Sequence, residues 1–357
     1  GDTVTIPAGT TIVNSGTATG FGGDANITRS ASDPAENENP AGGLGTIWLN
    51  TTSGEMFCLT DATTDTNYWK NIGAGDGDVV PTQATGGTLN SYTLAGILYQ
   101  SHTFLASGTF TALNIANPVD IMICAGGGAG SNWHGGGGGA GGMKVLTGVT
   151  VSAGDYNIVV GAGGAGGTTA VGSNGSDSSA ISNSCLGGGR GGHYHTTTAA
   201  SGGSGAGGNS TNTAPYLTGA AGTAGQGNAG GNGKGNHAGG GGGGKGSVGE
   251  TVTNVLFGGD GGQGLDNLYR TGINVMYSGG GGGGTWEGTQ IANGGSGAGG
   301  GGNGSYNFNV TAAGPTAGAV NTGGGGGGSG AQGNNTSYAA ETTGGSGIVV
   351  IRYAVQA

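Results

Sequence analysis

Runs of glycine limit the folds open to this chain more than any other feature of its sequence. They recur at irregular intervals from residue 126 onward, separated by polar or aromatic spacers. Glycine loses more backbone freedom on folding than any other residue, so helices and ordinary sheets are poor hosts for such runs. The principal runs are 135–142, 161–167, 187–192, 202–208, 239–244, 258–264, 279–284, 294–302 and 323–328.

The composition shows what must order these runs. Glycine supplies 97 of the 357 residues, and hydrophobic residues make up only 33%, too few to build a conventional core along the whole chain. Collagen is excluded because there is no strict three-residue period and only 7 residues are proline. We therefore expect polyglycine-II helices, with three residues per turn and a rise of about 3.1 Å per residue, stacked side by side. Each N–H would bond to a carbonyl of a neighbouring helix, and a run of seven residues would span about 20 Å.

Short apolar segments flank the glycine runs and are predicted to be strands. Two of them, 108–113 and 119–124, lead into the first run, and 143–151 with 156–160 is predicted to form a hairpin. The last strand, 348–353, should pair with the early strands and close the domain. The predicted fold class is mainly β and irregular, with stacked polyglycine-II helices forming a slab closed by short β-strands and almost no α-helix.

Composition also divides the chain. Residues 1–30 hold short alternating runs that predict strands of only a few residues, and 31–43 are acidic and turn-rich like a surface linker. Residues 44–73 predict a small β-meander with two tryptophans on one face. Residues 74–100 are predicted to be a second linker, and 101–357 the glycine-rich domain.

Charge and hydropathy exclude several partners. The 18 acidic and 8 basic residues give a net charge of −10, which disfavours nucleic acid because few cations are available to neutralise phosphates. No segment approaches the roughly 18 apolar residues that indicate a transmembrane helix, so membrane insertion is not expected. The three cysteines lack metal-site spacing and are predicted to be buried free thiols.

Catalytic and metal-binding motifs are weak. His193 and His195, with His134 or His237 as a third ligand, could hold a metal ion, but a lone His-x-His in a polar loop is usually no site. The run before Lys245 imitates a phosphate-binding loop, yet Gly246 stands where Ser or Thr is required. We predict no enzyme activity, no cofactor and no metal. Because sparse carboxylates could still meet in space, glycan hydrolysis stays open as an alternative.

Several segments in order resemble the glycine-rich domain of bacteriophage tail-fibre tips, and two segments upstream resemble a small module common in phage fibre proteins. The first group is Phe104–Phe110, Val119–Gly128, Tyr156–Gly167 and Gly345–Tyr353, and the second is Gly45–Asn50 with Tyr68–Ile72. Gly1–Gly20 in addition resembles a shaft or collar segment, so the resemblance implies that role for residues 1–30. The resemblance implies a receptor-binding adhesin at the distal end of a tail fibre, assembled in the host cytoplasm and carried by the virion. It implies a bacterial outer-membrane protein or lipopolysaccharide as receptor, an upstream fibre shaft as partner, and a homotrimer.

The spacers between runs hold most of the aromatic, histidine and charged side chains of the glycine-rich region. Tyrosine, tryptophan and arginine on loops held by a rigid scaffold are typical of recognition surfaces. Successive loops should alternate between the two ends of a slab, so only part of them can face a receptor. The candidate receptor-binding residues are Trp133, His134, His193, Tyr194, His195, Tyr216, His237, Tyr269, Arg270, Tyr277, Trp286, Tyr306, Phe308 and Tyr338.

Two other classes of protein are compatible with the same sequence. A structural virion decoration or an extracellular filament protein would use these aromatic loops for self-association, and would show subunits joined end to end through them. A glycan-degrading tail spike would show a cleft with two facing carboxylates.

Overall fold

A computed structural model of the chain describes residues 27–72, 82–115, 117–167, 171–193, 198–211, 217–235, 237–254, 256–285, 299–305, 314–330 and 342–355. They belong to two compact units, the first ending at Thr82 and the second beginning at Gln83. The described residues contain strands and irregular segments and no α-helix, which confirms the predicted mainly β and irregular fold class. Within them, no helix is long and apolar enough to cross a bilayer. Residues 1–26 of the predicted shaft segment lie outside the described residues.

The first unit is a four-stranded sheet in the order β1-β2-β3-β4. Strand β1 runs parallel to β2, and the other neighbours are antiparallel. The meander predicted over 44–73 corresponds to β2, β3 and β4, and β1 adds a fourth strand. The strands are β1 (Ile27–Ser30), β2 (Ile47–Asn50), β3 (Met56–Asp61) and β4 (Tyr68–Asn71).

The acidic segment 31–43 packs on one face of this sheet. The indole Nε1 of Trp48 donates to the Ser32 carbonyl at 2.8 Å, and the amide Nδ2 of Asn67 donates to the Glu36 and Glu38 carbonyls at 2.9 and 3.0 Å. Beneath the segment lies a small core made of Trp48, Phe57, Leu59 and Trp69. The segment predicted to be a linker is therefore part of the first unit, because its backbone carbonyls satisfy buried polar groups of the sheet.

The second unit holds a five-stranded sheet in the order β10-β9-β16-β7-β6, a three-stranded sheet in the order β11-β8-β5, and two short hairpins. The strands of the five-stranded sheet are β6 (Thr88–Leu94), β7 (Ile97–Phe104), β9 (Val119–Cys124), β10 (Met143–Val149) and β16 (Ile348–Ala354). The three-stranded sheet is β5 (Ala84–Thr85), β8 (Gly108–Ala112) and β11 (Gly154–Ile158). The hairpins are β12 (Ser178–Ala180) with β13 (Asn183–Cys185), and β14 (Leu265–Asn267) with β15 (Val275–Tyr277).

The strand pairing confirms one expectation and corrects two. The last strand, β16, lies between β7 and β9, so strands from both ends of the glycine-rich region close it as predicted. The hairpin predicted for 143–160 is wrong: β10 pairs with β9, and β11 pairs with β8, where Tyr156 lies opposite Phe110. The linker predicted for 74–100 is also wrong in its described part, since β5, β6 and half of β7 lie there. Threonine and tyrosine favour strands when a partner is present, and β6 pairs with β7 along its whole length.

Between the strands, the glycine runs form a lattice held together by backbone hydrogen bonds. The central run, 135–142, donates to three neighbours in rotation: Gly136, Gly139 and Gly142 bond to segment 186–192, Gly137 and Ala140 to run 239–244, and Gly135, Gly138 and Gly141 to run 323–329. Its carbonyls accept from three further segments, 125–131, 204–207 and 281–284. A period of three with neighbours on every side is the hydrogen-bonding pattern expected of packed polyglycine-II helices.

Close packing of these helices explains the glycine content. A Cβ added at Gly137 would lie 2.0 Å from the carbonyl oxygen of Gly281, and one at Gly325 would lie 2.0 Å from that of Gly138. Neither backbone can retreat, since both are bonded on other sides. Ala129 is accommodated because Gly172 leaves room for its methyl group: a Cβ at Gly172 would come within 2.6 Å of it. Absence of side chains is thus the condition for this core.

Candidate receptor-binding surface

The slab has two distinct ends. At the strand end, segment 125–131 directly follows β9, run 135–142 directly precedes β10, and segment 342–347 directly precedes β16. The opposite end, which we call the far end, is fixed by the register of the hydrogen bonds. Ser329 donates to Ser131, Gly284 to Gly135, and Gly136 to Gly192. The described residues of the far end are 131–135, 192–193, 209–211, 234–235, 237–239, 284–285, 305, 329–330 and 342.

Four of the candidate residues lie at the far end. Trp133 and His134 form the turn between segment 125–131 and run 135–142, His193 directly follows Gly192, and His237 precedes run 239–244. Asn209 draws two of these segments together, because its amide Nδ2 donates to the His193 carbonyl at 2.6 Å. Ser210, the next residue, lies 3.1 Å from Nδ1 of His134 through its hydroxyl oxygen. Loops from distant parts of the sequence therefore share this end.

Seven candidates lie outside the described residues, and each belongs to a segment that directly follows a far-end residue in the sequence. Those preceding residues are 193, 211, 285, 305 and 330. The seven are Tyr194, His195, Tyr216, Trp286, Tyr306, Phe308 and Tyr338.

The remaining three candidates lie at the strand end. Tyr277, in β15, is 1% exposed and belongs to a core cluster with Met122 and Val350, so it offers no surface to a partner. Tyr269 is buried too, with its ring 3.9 Å from the guanidinium carbon of Arg352. These two tyrosines are corrected from surface residues to core residues, because β16 supplies both the apolar face and the cation that they pack against.

Arg270 and Arg352 hold this part of the strand end. The Arg270 carbonyl accepts hydrogen bonds from the Ser101 hydroxyl at 2.8 Å and the Asn90 amide at 3.2 Å. Arg352 forms an ion pair with Asp120 at 2.9 Å. Burial raises the pKa of the Tyr269 hydroxyl, as does the neighbouring Asp120 carboxylate, whereas Arg352 opposes the rise. The arrangement fixes the loop after β14 on the sheet and has the character of a structural core.

The turn at Trp133 and His134 has an unusual backbone. Both residues have positive φ, at 57° and 52°. This left-handed conformation costs an ordinary L-residue roughly 1–2 kcal/mol, whereas glycine adopts it freely. Asn132 holds the turn from the preceding position, since its amide donates to the Gly167 carbonyl at 2.8 Å. Ile181 and Ser182 share this conformation in the turn between β12 and β13, so the left-handed backbone by itself does not set the Trp133 turn apart. What distinguishes the Trp133 turn is its place at the far end, between two lattice segments, where a glycine would fit without strain.

The two side chains of this turn differ in exposure. Trp133 is half-buried, so part of the indole faces solvent, whereas His134 is fully buried. His134 is therefore corrected from a surface candidate to a buried residue of the turn, where its Nδ1 lies beside the Ser210 hydroxyl. Burial, together with the nearby His237, lowers the pKa of His134 to about 4. The imidazole is therefore neutral at neutral pH. The far end accordingly combines an accessible indole with uncharged hydrogen-bonding groups.

The described ranges contain no group of three or more His, Cys, Asp or Glu side chains placed to hold a metal ion, and the alternative that used His195 lies partly outside them. All three cysteines are free: Cys124 and Cys185 are buried as predicted, and Cys58 is half-buried. Burial raises the pKa of Cys124 to about 12 and that of Cys185 to about 11, so both are protonated and unreactive at neutral pH.

Sequence reasoning missed the polar residues that organise the far end. Asn132, Asn209 and Ser210 interrupt or end glycine runs, but nothing in their spacing shows that three different segments meet there. Only the lattice register brings them together. The sequence does contain one signal of this end. Trp133 and His134 are adjacent bulky residues between two glycine segments, at a turn whose left-handed backbone a glycine would adopt without strain.

The strands, the polyglycine-II lattice and the loop-bearing far end define a glycine-rich scaffold protein. The family model described as a glycine-rich domain matches residues 102–354, and this chain belongs to that family. None of the curated proteins matches the chain.

Proposed function

We propose that this chain is a non-enzymatic receptor-binding protein, an adhesin at the distal end of a bacteriophage tail fibre. It attaches the virion to the bacterial surface through loops at the far end of the slab. The receptor is an outer-membrane protein or lipopolysaccharide, the upstream fibre shaft connects to the strand end, and the assembled protein is a homotrimer.

The observation that carries this proposal is the strained turn at Trp133 and His134. Backbone strain in a structure that could easily avoid it is typical of functional sites. The turn lies between two lattice segments, so its position is fixed by hydrogen bonds on both sides. A half-exposed tryptophan held in this way provides contact area at little entropic cost on binding.

The sharing of one end by many loops supports a recognition surface rather than a single pocket. Trp133, His193 and His237 come from three segments far apart in sequence and are each half-buried. A backbone lattice tolerates changes in its loops because the hydrogen bonds that join its glycine runs are made between backbone groups. Individually weak contacts gain avidity when several copies engage one cell. The structural-protein alternative would instead have these loops contact other copies of the chain.

The proposal is tested by adsorption of the fluorescently labelled full chain to a panel of bacteria, with cells stripped of surface protein or of lipopolysaccharide in parallel. Saturable adsorption to a particular host is expected. Trp133→Gly should lower the affinity at least 10-fold, because the indole is lost. The fold should be retained, since glycine relieves the left-handed backbone and offsets the contacts of a half-exposed side chain.

Ile181→Gly is the matched control. Ile181 also has positive φ, at 46°, but lies in the turn between β12 and β13, beside the strands. This variant should gain the same backbone relief and adsorb like the unaltered chain. Equal loss of adsorption in both variants, or none in either, contradicts a binding surface centred on Trp133. Filaments joined through the far end, without adsorption to any host, would favour the structural protein.

A further inference from the structure

The two faces of the first-unit sheet differ in how they are covered. One face lies under segment 31–43, as described above, and buries Trp48 and Trp69. On the other face, Ile27, Met56 and Ile72 are 41%, 40% and 49% exposed. Three large apolar side chains on one side of a sheet this small form a patch of the kind that marks an interaction site.

The strand register arranges this second face, which we call the open face, in two cross-strand rows. The first row begins at Ile27 on β1 and ends at Lys70 on β4, passing through β2 and β3. The second row begins at Arg29 on β1, passes through Leu49 and Met56, and continues to residue 72, whose N–H donates to the Met56 carbonyl at 2.8 Å. The centre of the open face is therefore apolar, with one cation at each of two diagonal corners.

The charges of the first unit are segregated. Arg29 and Lys70 are the only basic residues within 27–72, and both lie on the open face. The same range contains six carboxylates, none of which is in the two rows: Asp33, Glu36, Glu38, Glu55, Asp61 and Asp65. An apolar centre with basic corners is complementary to an acidic surface that carries apolar groups.

We propose that the open face binds a second copy of this chain, at the acidic surface formed by segment 31–43 and the end of β3. Glu38 and Asp61 of that surface are exposed. The two surfaces are different parts of the unit, so the contact is heterologous: each copy offers its open face to one neighbour and its acidic surface to another. Such contacts close into a ring when the rotation between copies permits.

A two-fold contact between two open faces fits the charges less well. It would place Arg29 and Lys70 against apolar residues or against each other, with no carboxylate to compensate. Burying an uncompensated charge is costly. The proposal rests on the homotrimer of the proposed function, for which it supplies a contact in the first unit, and it is independent of receptor binding. A monomeric chain would overturn both the homotrimer and this contact, whereas an oligomer that survives the substitutions below would overturn only the contact.

The test is the mass of the full chain in solution, measured by light scattering during size-exclusion chromatography at low and at 1 M salt. A multiple of 33.4 kDa is expected at low salt, with partial dissociation at high salt. Arg29→Glu with Lys70→Glu should give the monomer mass. Lys144→Glu with Lys234→Glu, in the second unit, changes the net charge equally and should leave the oligomer intact. Thermal unfolding of each variant establishes that it is folded.

A mixing experiment tests the heterologous geometry. Glu38→Lys with Asp61→Lys should also give monomers, and Glu38→Lys alone serves if the double variant does not fold. Mixing the open-face variant with the acidic-surface variant offers each reversed surface a partner of opposite charge and each unaltered surface its original partner, so the mixture should recover oligomers that neither variant forms alone. A monomeric unaltered chain, or an open-face variant that keeps the oligomer, would overturn the proposal. An acidic-surface variant that keeps the oligomer would equally overturn it, since the partner surface would then be wrong.

Discussion

The two units of this chain have cores of opposite kinds. The first unit is held by side chains, with Trp48, Phe57, Leu59 and Trp69 packed between a small sheet and an acidic segment. The lattice of the second unit is held by backbone, and its side chains are confined mainly to strands and loops. The comparison teaches that a glycine-rich segment can be ordered when each N–H and C=O finds a partner on a neighbouring segment.

The largest expected loss of stability comes from adding a single methyl group to the lattice. At Gly137, a Cβ would lie 2.0 Å from a carbonyl oxygen that is fixed by the neighbouring run. Gly137→Ala should therefore destabilise the second unit by at least about 3 kcal/mol, the upper part of the range for overpacked cores. Differential scanning calorimetry of the full chain measures the loss.

Gly108→Ala is the control for that substitution. A Cβ at Gly108 would meet only the Phe104 ring, at 3.7 Å, which is ordinary contact. Its unfolding temperature should change little. If the two alanine variants unfold alike, the lattice does not depend on the absence of Cβ atoms.

The corresponding substitution in the first unit removes a side chain instead of adding one. Trp69 is fully buried, so Trp69→Ala should cost the first unit about 3–5 kcal/mol through lost contacts and a cavity. Urea titration followed by tryptophan fluorescence reports the change. Adsorption of the folded chain to bacteria should be unaffected if the far end carries binding. Unchanged stability of this variant would contradict a side-chain core.

A smaller effect distinguishes the two units: the stability of the second unit should depend on pH through His134. His134 has a pKa of about 4 in the folded chain, below the usual value near 6.5, so the unfolded chain takes up its proton first as the pH falls. The second unit should lose up to about 3 kcal/mol of stability between about pH 6.5 and pH 4. Burial lowers the pKa of His102 as well and adds to the loss.

His134→Asn tests the source of this pH dependence. Asparagine tolerates the left-handed backbone and does not titrate, so the variant should show a shallower loss of unfolding temperature on acidification. The first unit contains no histidine within 27–72 and should lack this component. An identical pH profile with and without His134 would assign the effect to other groups.

The strands and the glycine helices could be predicted from the sequence, but the hydrogen-bond register between the glycine runs could not. The apolar strands 119–124 and 348–353 were predictable from their composition, and the glycine runs from their need for a backbone lattice. Nothing in a glycine run states which neighbour it will have, since Gly136 and Gly192 carry no distinguishing side chain. It is the hydrogen-bond register between runs that places His193 and His237 at the far end, together with Trp133.

The errors at the strand end have a different cause. Tyr269 and Tyr277 occur in a polar spacer, which predicts surface residues. Their burial depends on Arg352 and Val350, which come much later in the sequence. Likewise β6 has no apolar alternation of its own and forms through pairing with β7. Local patterns cannot reveal burial supplied by distant strands.

Amide hydrogen exchange of the full chain, followed by mass spectrometry, tests the backbone lattice most directly. Peptides covering run 135–142 should be protected as strongly as those covering β9 and β16, because each N–H of that run is bonded to a neighbouring segment. The turn at Trp133 should exchange faster than the glycines on either side. Exchange of the run at the rate of an unstructured peptide, with β9 and β16 still protected, would contradict the account.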